Sequence, residues 1–225
     1  MFDWRWDFTF EILPRLLGAT LNTLMAAGIG YGIALVVGLV FALAQRTPYW
    51  SVTAVVREAV EFIRSTPLVL QIFFVFYVGP QFDIRLSPWT SGMIAIGLHY
   101  AAYLSEVYRG GIESVPRGQW EASKALNFST ARTYFRIVIP QALPASLPGM
   151  GNYLVGIFKD TPMLSVIGVA ELMHTANALG SETYRFLEPY TLVGVIFLAI
   201  SLPTAAVLRF FEAWVRRTLG MTRSH

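Results

Sequence analysis

Lys159 and Asp160 are adjacent charges inside a long apolar run, in a chain of 225 residues of which only 14% are charged. An ionised side chain at mid-membrane depth costs roughly 2.5–3.5 kcal/mol on insertion scales, so such a pair marks a solute pathway or a specific partner. Neighbouring residues on an ideal helix point about 100° apart, and the two charges therefore need separate partners. Two readings stay open. Lys159 can face a carboxylate and Asp160 a cationic group of a zwitterionic solute, or the pair can clasp neighbouring helices without touching solute. Pro162 lacks an N–H and frees the carbonyl of Phe158 as an oriented acceptor beside them. Tyr100, Tyr103, Tyr153 and Phe158 offer aromatic faces on which a delocalised cation can stack.

Other chemistries find no support. His99, His174 and His225 lack a carboxylate or a second His at ligand spacing, which argues against a metal site. No nucleophile elbow and no Walker A sequence occurs, so the chain neither carries out serine hydrolysis of that type nor hydrolyses ATP by a P-loop. Cysteine is absent, which excludes disulfides and thiolate metal sites.

A second polar interval runs from Pro116 to Pro140, PRGQWEASKALNFSTARTYFRIVIP. Pro116 suits a first helical position, and Trp120, Lys124 and Ala125 follow at helical spacing. Asn127 tolerates the left-handed conformation that ends a helix, Ser129 can cap a second segment carrying Arg132 and Arg136, and Pro140 limits its continuation. A helix, a sharp corner and another helix are expected, presenting a cation-rich docking surface.

The elements that position these groups are membrane spans. With 55% hydrophobic residues and mean hydropathy +0.52, the composition departs from that of a soluble domain, where about a quarter of residues are charged. The pI near 9.3 does not point to nucleic acid, because the cations sit in loops between apolar runs. MFDWRWDFTFEILPRLL lacks the pattern of a removable signal. Its interleaved Trp4, Trp6, Phe8 and Phe10 with Asp3, Arg5 and Asp7 suit a segment lying at the membrane interface. Spans are expected over 16–44, from Arg57 through a kink at Pro67 to about Val78, over 89–108, from about Ile137, and over 190–214. A further apolar helix is expected over 163–179. Gly28 and Gly32, four residues apart, are expected to let another helix approach closely. Arg46, Arg57, Arg109, Arg117, Lys124, Arg132, Arg136, Arg209, Arg216, Arg217 and Arg223 then share one side, against Arg5, Arg15, Arg85 and Arg185 on the other. The positive-inside rule puts the N-terminus outside, and the C-terminus and the 116–140 loop in the cytoplasm.

The loop carries a resemblance. Glu121-Ala122-Ser123, three residues, Asn127, nine residues, Ile137-Val138-Ile139-Pro140 resembles the EAA loop of ABC importer permeases, whose pattern is E-A-A, three residues, G, nine residues, I-x-L-P. Ser123, Asn127 and Ile139 depart from it. Arg64-Ser65-Thr66-Pro67 is similar to R-G-T-P of the polar amino-acid branch, and the run from Ala102 to Gly111 to its A-Y-x-x-E-x-x-R-G-G. Pro140-Gln141-Ala142-Leu143, Gly151-Asn152 and Lys159-Asp160-Thr161 match P-Q-A-L, G-N and K-D-T. Tyr153 and Pro162 stand where members often carry Glu and Ser. The stretch from Lys159 to Ile167, with Gly180-Ser181-Glu182-Thr183, resembles more narrowly the permeases for ectoine and hydroxyectoine.

The resemblance implies an all-α, polytopic type I ABC importer permease: one transmembrane domain over 1–225, with about five transmembrane helices and short cytoplasmic coupling helices. It implies a transport subunit, not an enzyme, moving a polar amino acid or similar zwitterion inward. Its implied partners are a pair of ATPase subunits holding ATP and Mg²⁺, a second permease subunit and an extracytoplasmic solute-binding protein, with no cofactor on this chain and no nucleic acid. Gly118, Trp120, Glu121, Ala122, Ser123, Lys124 and Asn127 would couple to the ATPase. Lys159, Asp160, Thr161, Tyr153, Arg64 and Glu106 would line the pathway. The rival class is an ion-coupled secondary carrier, which usually needs more spans and its own coupling-ion site.

Overall fold

The computed structural model describes residues 4–218, with side chains through Val215. Asp3, Arg223 and His225 lie outside the described residues, as do the side chains of Arg216 and Arg217. Among the described residues two helices are long and apolar enough to cross a membrane singly, α1 (Trp6–Ala44) and α9 (Leu187–Thr218). Two bent pairs have the same property. The first joins α2 (Trp50–Ser65) to a segment made of α3 (Leu68–Phe73), a π turn and a 3₁₀ turn ending at Phe82. The second runs from α6 (Thr130–Thr133) through a π turn, α7 (Ile139–Asp160) and a 3₁₀ turn over Thr161–Ile167 into α8 (Leu172–Thr183). Between them stands α4 (Pro88–Glu113), whose 26 residues span roughly 39 Å at 1.5 Å per residue, enough for a fifth crossing. Its Ser91, His99 and Ser105 are buried among other helices, so its polarity is not presented to lipid.

The centre of the bundle is the contact between α1 and α4. Ala26, Gly30, Ala34, Gly38 and Ala42 recur every four residues on α1 and are all buried. A Cβ added at Gly38 would sit 2.9 Å from the Ala101 carbonyl and 3.0 Å from Leu104 Cβ. The two backbones touch there because no side chain intervenes. Gly28 and Gly32, expected to serve this purpose, have nothing within 4 Å of an added Cβ; each lies two residues out of register with the buried row. Gly38→Ala is therefore expected to destabilise the bundle by about 1–3 kcal/mol, and Gly28→Ala to leave it unchanged, as read by melting temperature in detergent.

Three further expectations are corrected. Residues 6–16 are the first turns of α1 and not a segment apart from it: Phe8, Ile12 and Leu16 pack on Leu172, Ala176, Val193 and Ile196 of α8 and α9, while Trp6 and Phe10 stay exposed. At Pro67 the chain turns by 109° instead of kinking within one helix. The apolar stretch 163–179 is not one helix: Gly168 takes φ +79° after the 3₁₀ turn, and α8 begins only at Leu172, under the buried carboxylate cap of Glu171. Two backbone N–H groups, of Met173 and His174, donate to that cap at 2.9 and 2.6 Å, which satisfies donors the new helix would leave orphaned.

Candidate functional site: an aromatic cavity and an exposed loop

α7 ends at Asp160 because Pro162 cannot continue its hydrogen-bond ladder and the chain tightens into the 3₁₀ turn. The carbonyl of Phe158 does not remain free. Thr161, fully buried, donates its hydroxyl to it at 2.8 Å. Lys159 and Asp160 diverge as their adjacency requires. Lys159 is exposed and lines a cavity of about 420 Å³ with Tyr31, Asn152, Arg209 and Glu212. Asp160 turns to a different cavity, of about 530 Å³, walled by His99, Tyr100, Tyr103, Asn152 and Tyr153. The pair therefore does not make one two-headed site.

The Asp160 cavity is built from one face of α4 and the last turns of α7. His99, Tyr100 and Tyr103 lie within one turn of α4, and their rings pack at centroid separations of 5.1–6.4 Å. Tyr153 closes the cluster from α7, 6.0 Å from Tyr100 and 5.5 Å from Tyr103. The Tyr100 hydroxyl donates to Asp160 Oδ2 at 2.7 Å. Phe158, expected in this wall, points away: it is buried and packs on Phe197 at 4.9 Å. Among the described residues no Lys or Arg lines the cavity. One carboxylate and several aromatic faces favour positive charge over negative.

Arg64 reaches this wall from outside. Its guanidinium lies 5.5 Å from the Tyr103 ring centroid, the Tyr103 hydroxyl donates to the Arg64 carbonyl at 3.2 Å, and Arg64 Nε is a buried donor without a protein partner. Glu106 lies elsewhere. Arg109 holds it at 2.5 Å and Glu113 at 2.9 Å, a ladder along the end of α4 that Arg46 approaches at 4.0 Å. Of the six residues expected on the pathway, the structure thus brings Asp160, Tyr153 and Arg64 around Tyr103 and leaves Lys159, Thr161 and Glu106 apart. Gln71 and His99 were missed. They face each other at 3.2 Å but are 28 positions apart, and nothing local in the sequence pairs them.

The loop folds as its residues suggest. α5 (Arg117–Ala125) has Pro116 just before its first residue, one position earlier than expected. Asn127 sits at φ +55°, with its N–H on the Lys124 carbonyl at 2.9 Å and the Phe128 N–H on the Ser123 carbonyl at 3.0 Å. That pair of bonds is the Schellman closure, with Asn in the place glycine usually takes. Ser129 Oγ then caps α6, accepting from the Arg132 N–H at 3.3 Å. Trp120 anchors α5 to the bundle, edge-on to Tyr134 at 5.5 Å and under the Arg46 guanidinium at 5.8 Å. Ser123 is the buried residue of α5. Ala122 and Ala125 are exposed together with Gly118, Glu121, Lys124 and Leu126. The helix is thus held by one face and presents the other.

The chain has relatives that share its architecture. It is 41% identical over 221 residues to the probable amino-acid ABC transporter permease protein y4tG of Sinorhizobium fredii, covering 94% of this chain and 95% of that one. It is 32% identical to the L-cystine transport system permease protein TcyB of Bacillus subtilis, over 94% and 93% of the two chains. Its fold superposes on the crystal structure of an amino acid ABC transporter with histidines at a TM-score of 0.88 and 29% identity, over 94% of this chain and 99% of that one. Residues 9–217 match the family of binding-protein-dependent transport system inner membrane components. The long apolar helices, the central α1–α4 contact and the exposed loop helix are the anatomy of a multi-pass permease subunit, and the chain belongs to that family.

Proposed function

We propose that this chain is the subunit through which a small amino-acid-like zwitterion with a delocalised positive nitrogen enters the cell, with ectoine or hydroxyectoine as the best chemical match. The observation that carries this reading is the cavity of about 530 Å³ where Asp160 faces the tyrosine cluster. A flat amidinium complements both a carboxylate and aromatic faces. The relatives named as amino-acid and L-cystine permeases support the broader class. Neither cation expected on the pathway lines this cavity: Lys159 lines another one, and Arg64 packs on Tyr103 from outside and pairs with Glu61 at 3.4 Å. The test is uptake by the complete complex in proteoliposomes, with ectoine, hydroxyectoine, L-arginine and L-cystine in competition. Ectoine is expected to compete best. Preference for L-cystine would refute this solute class.

In this reading, ATP and Mg²⁺ belong to a pair of partner ATPase subunits, an external binding protein delivers solute, and a second permease copy or homologue completes the pathway. This chain contributes no catalytic group. The loop of α5 and α6 faces the cytoplasm and seats in the ATPase, and the N-terminus lies outside, as the distribution of Lys and Arg supports. The chain has no cysteine, so single cysteines report cleanly. A cysteine at Tyr184, 89% exposed, is expected to react with an impermeant maleimide from outside intact cells, and one at Glu121 only after lysis. The opposite pattern would invert the orientation.

A further inference from the structure

The 109° turn between α2 and α3 strands the last carbonyls of α2, and side chains facing the cavity wall take them up. Gln71 does most of this. Its Nε2 lies 2.7 Å from the Ile63 carbonyl and 3.2 Å from that of Thr66. A carbonyl only accepts, so these two contacts fix which end of the carboxamide is the nitrogen. Gln71 Oε1 is then the atom 3.2 Å from His99 Nδ1, and because Oε1 has no proton to give, Nδ1 must supply one. The other neutral tautomer would set two lone pairs against each other beside a ring only 8% exposed. With Nδ1–H engaged, neutral His99 has Nε2 left as a bare acceptor, and its ring lines the same cavity as Asp160.

We propose that Gln71 is a specificity-determining residue: it holds His99 in the Nδ1–H form, so that the cavity offers two acceptors, His99 Nε2 and the Asp160 carboxylate. Two acceptors select a positive centre that carries N–H donors, such as an amidinium, guanidinium or primary ammonium. They give no such advantage to a quaternary ammonium, which aromatic faces alone would take equally well. This selectivity rests on the cavity being the solute site proposed above; the assignment of His99 does not.

The test has two arms in the permease–ATPase complex without binding protein, so that the permease's own preference is read. In the first, ¹⁵N-histidine solid-state NMR of proteoliposomes assigns the His99 ring against His99→Asn. Wild type is expected to show Nδ1–H with Nε2 unprotonated, and Gln71→Leu a mixture of tautomers. An Nε2–H ring in wild type, or a ring unchanged by Gln71→Leu, overturns the proposal. In the second, direct binding of L-arginine and glycine betaine is measured. His99→Asn retains an N–H near the Nδ1 position and removes Nε2, its own Oδ1 being set back to about the Cδ2 position. It is expected to weaken L-arginine about tenfold more than glycine betaine, the loss of one hydrogen bond to a charged group. Equal losses for both probes overturn the selectivity. The expected ring signal with no Asp160-dependent binding of either probe refutes the solute site and its selectivity, while the Gln71–His99 assignment stands.

Discussion

Asp160→Asn is expected to cut solute uptake by roughly 10- to 100-fold while the complex assembles normally. The estimate follows from one hydrogen bond to a charged group, worth about 1.5–3 kcal/mol, at about 1.4 kcal/mol per tenfold. The substitution is conservative where it must be. An Asn oxygen can still accept from the Tyr100 hydroxyl that now lies 2.7 Å from Asp160 Oδ2, so the α4–α7 contact persists and only the negative charge is lost. Asp160→Ala removes both and leaves the Tyr100 hydroxyl unsatisfied, so a loss of stability is expected there and not in Asp160→Asn. Tyr103→Phe frees the Arg64 carbonyl but keeps the aromatic face, and is expected to cost less than threefold in uptake. Lys159→Met is the internal control. Because Lys159 lines the neighbouring cavity, it is expected to retain at least half of wild-type uptake. The measurement is initial-rate uptake of labelled ectoine with size-exclusion profiles of each variant. Normal uptake by Asp160→Asn, or a Lys159→Met loss as deep as that of Asp160→Asn, would remove the cavity from the pathway.

These residues also mark how far sequence reasoning reaches. The separation of Lys159 from Asp160 was legible because it follows from the 100° step of a helix. The Asn127 corner and the Ser129 cap were legible because a turn and a cap are decided within a few residues. The α1–α4 contact was present in the sequence as a four-residue repeat, but α1 carries more than one register of small residues. Only the partner helix selects Gly30 and Gly38 over Gly28 and Gly32. Pro67 announces a break without its angle, since the turn of 109° is held by Gln71 and Tyr103 from outside the junction. The stretch 163–179 has the apolar content of a helix, and the break after Asp160 comes from Pro162 and the left-handed Gly168. The Asp160 cavity was half visible: its tyrosines and carboxylate stand out as residue types, whereas His99 acquires meaning only through Gln71, which the fold alone brings to it.

Glu121→Lys and Ala122→Trp are expected to abolish the stimulation of ATP hydrolysis by loaded binding protein while leaving this chain folded. Both residues are exposed on α5, on the side left open once Trp120 and Ser123 have fastened the helix to the bundle. The bundle packing is untouched by either change, so membrane insertion and melting temperature should match wild type. If α5 seats in the ATPase as proposed, charge reversal at Glu121 puts a Lys against a surface that otherwise receives a carboxylate. Its penalty exceeds the ~0–1 kcal/mol of an exposed pair once the contact is desolvated. Ala122→Trp keeps the charge and forces the surfaces apart, so it tests packing separately. The two losses need not be equal, but stimulation is expected to fall at least tenfold for each. Trp120→Ala supplies the contrasting case. It deletes the ring that packs edge-on against Tyr134 and lies under Arg46, loosens α5 itself, and is expected to lower both stability and stimulation. Ser123→Trp goes further, because a residue 1% exposed has no room for an indole, and it should fail at folding before coupling is tested. The deciding measurement is ATPase activity with co-purification of the ATPase in reconstituted complexes. Full stimulation and wild-type attachment in both Glu121→Lys and Ala122→Trp would exclude the exposed face of α5 as the coupling surface, and would move the search to Leu126 and Phe135, the apolar side chains that stand 66% and 74% exposed on the same loop.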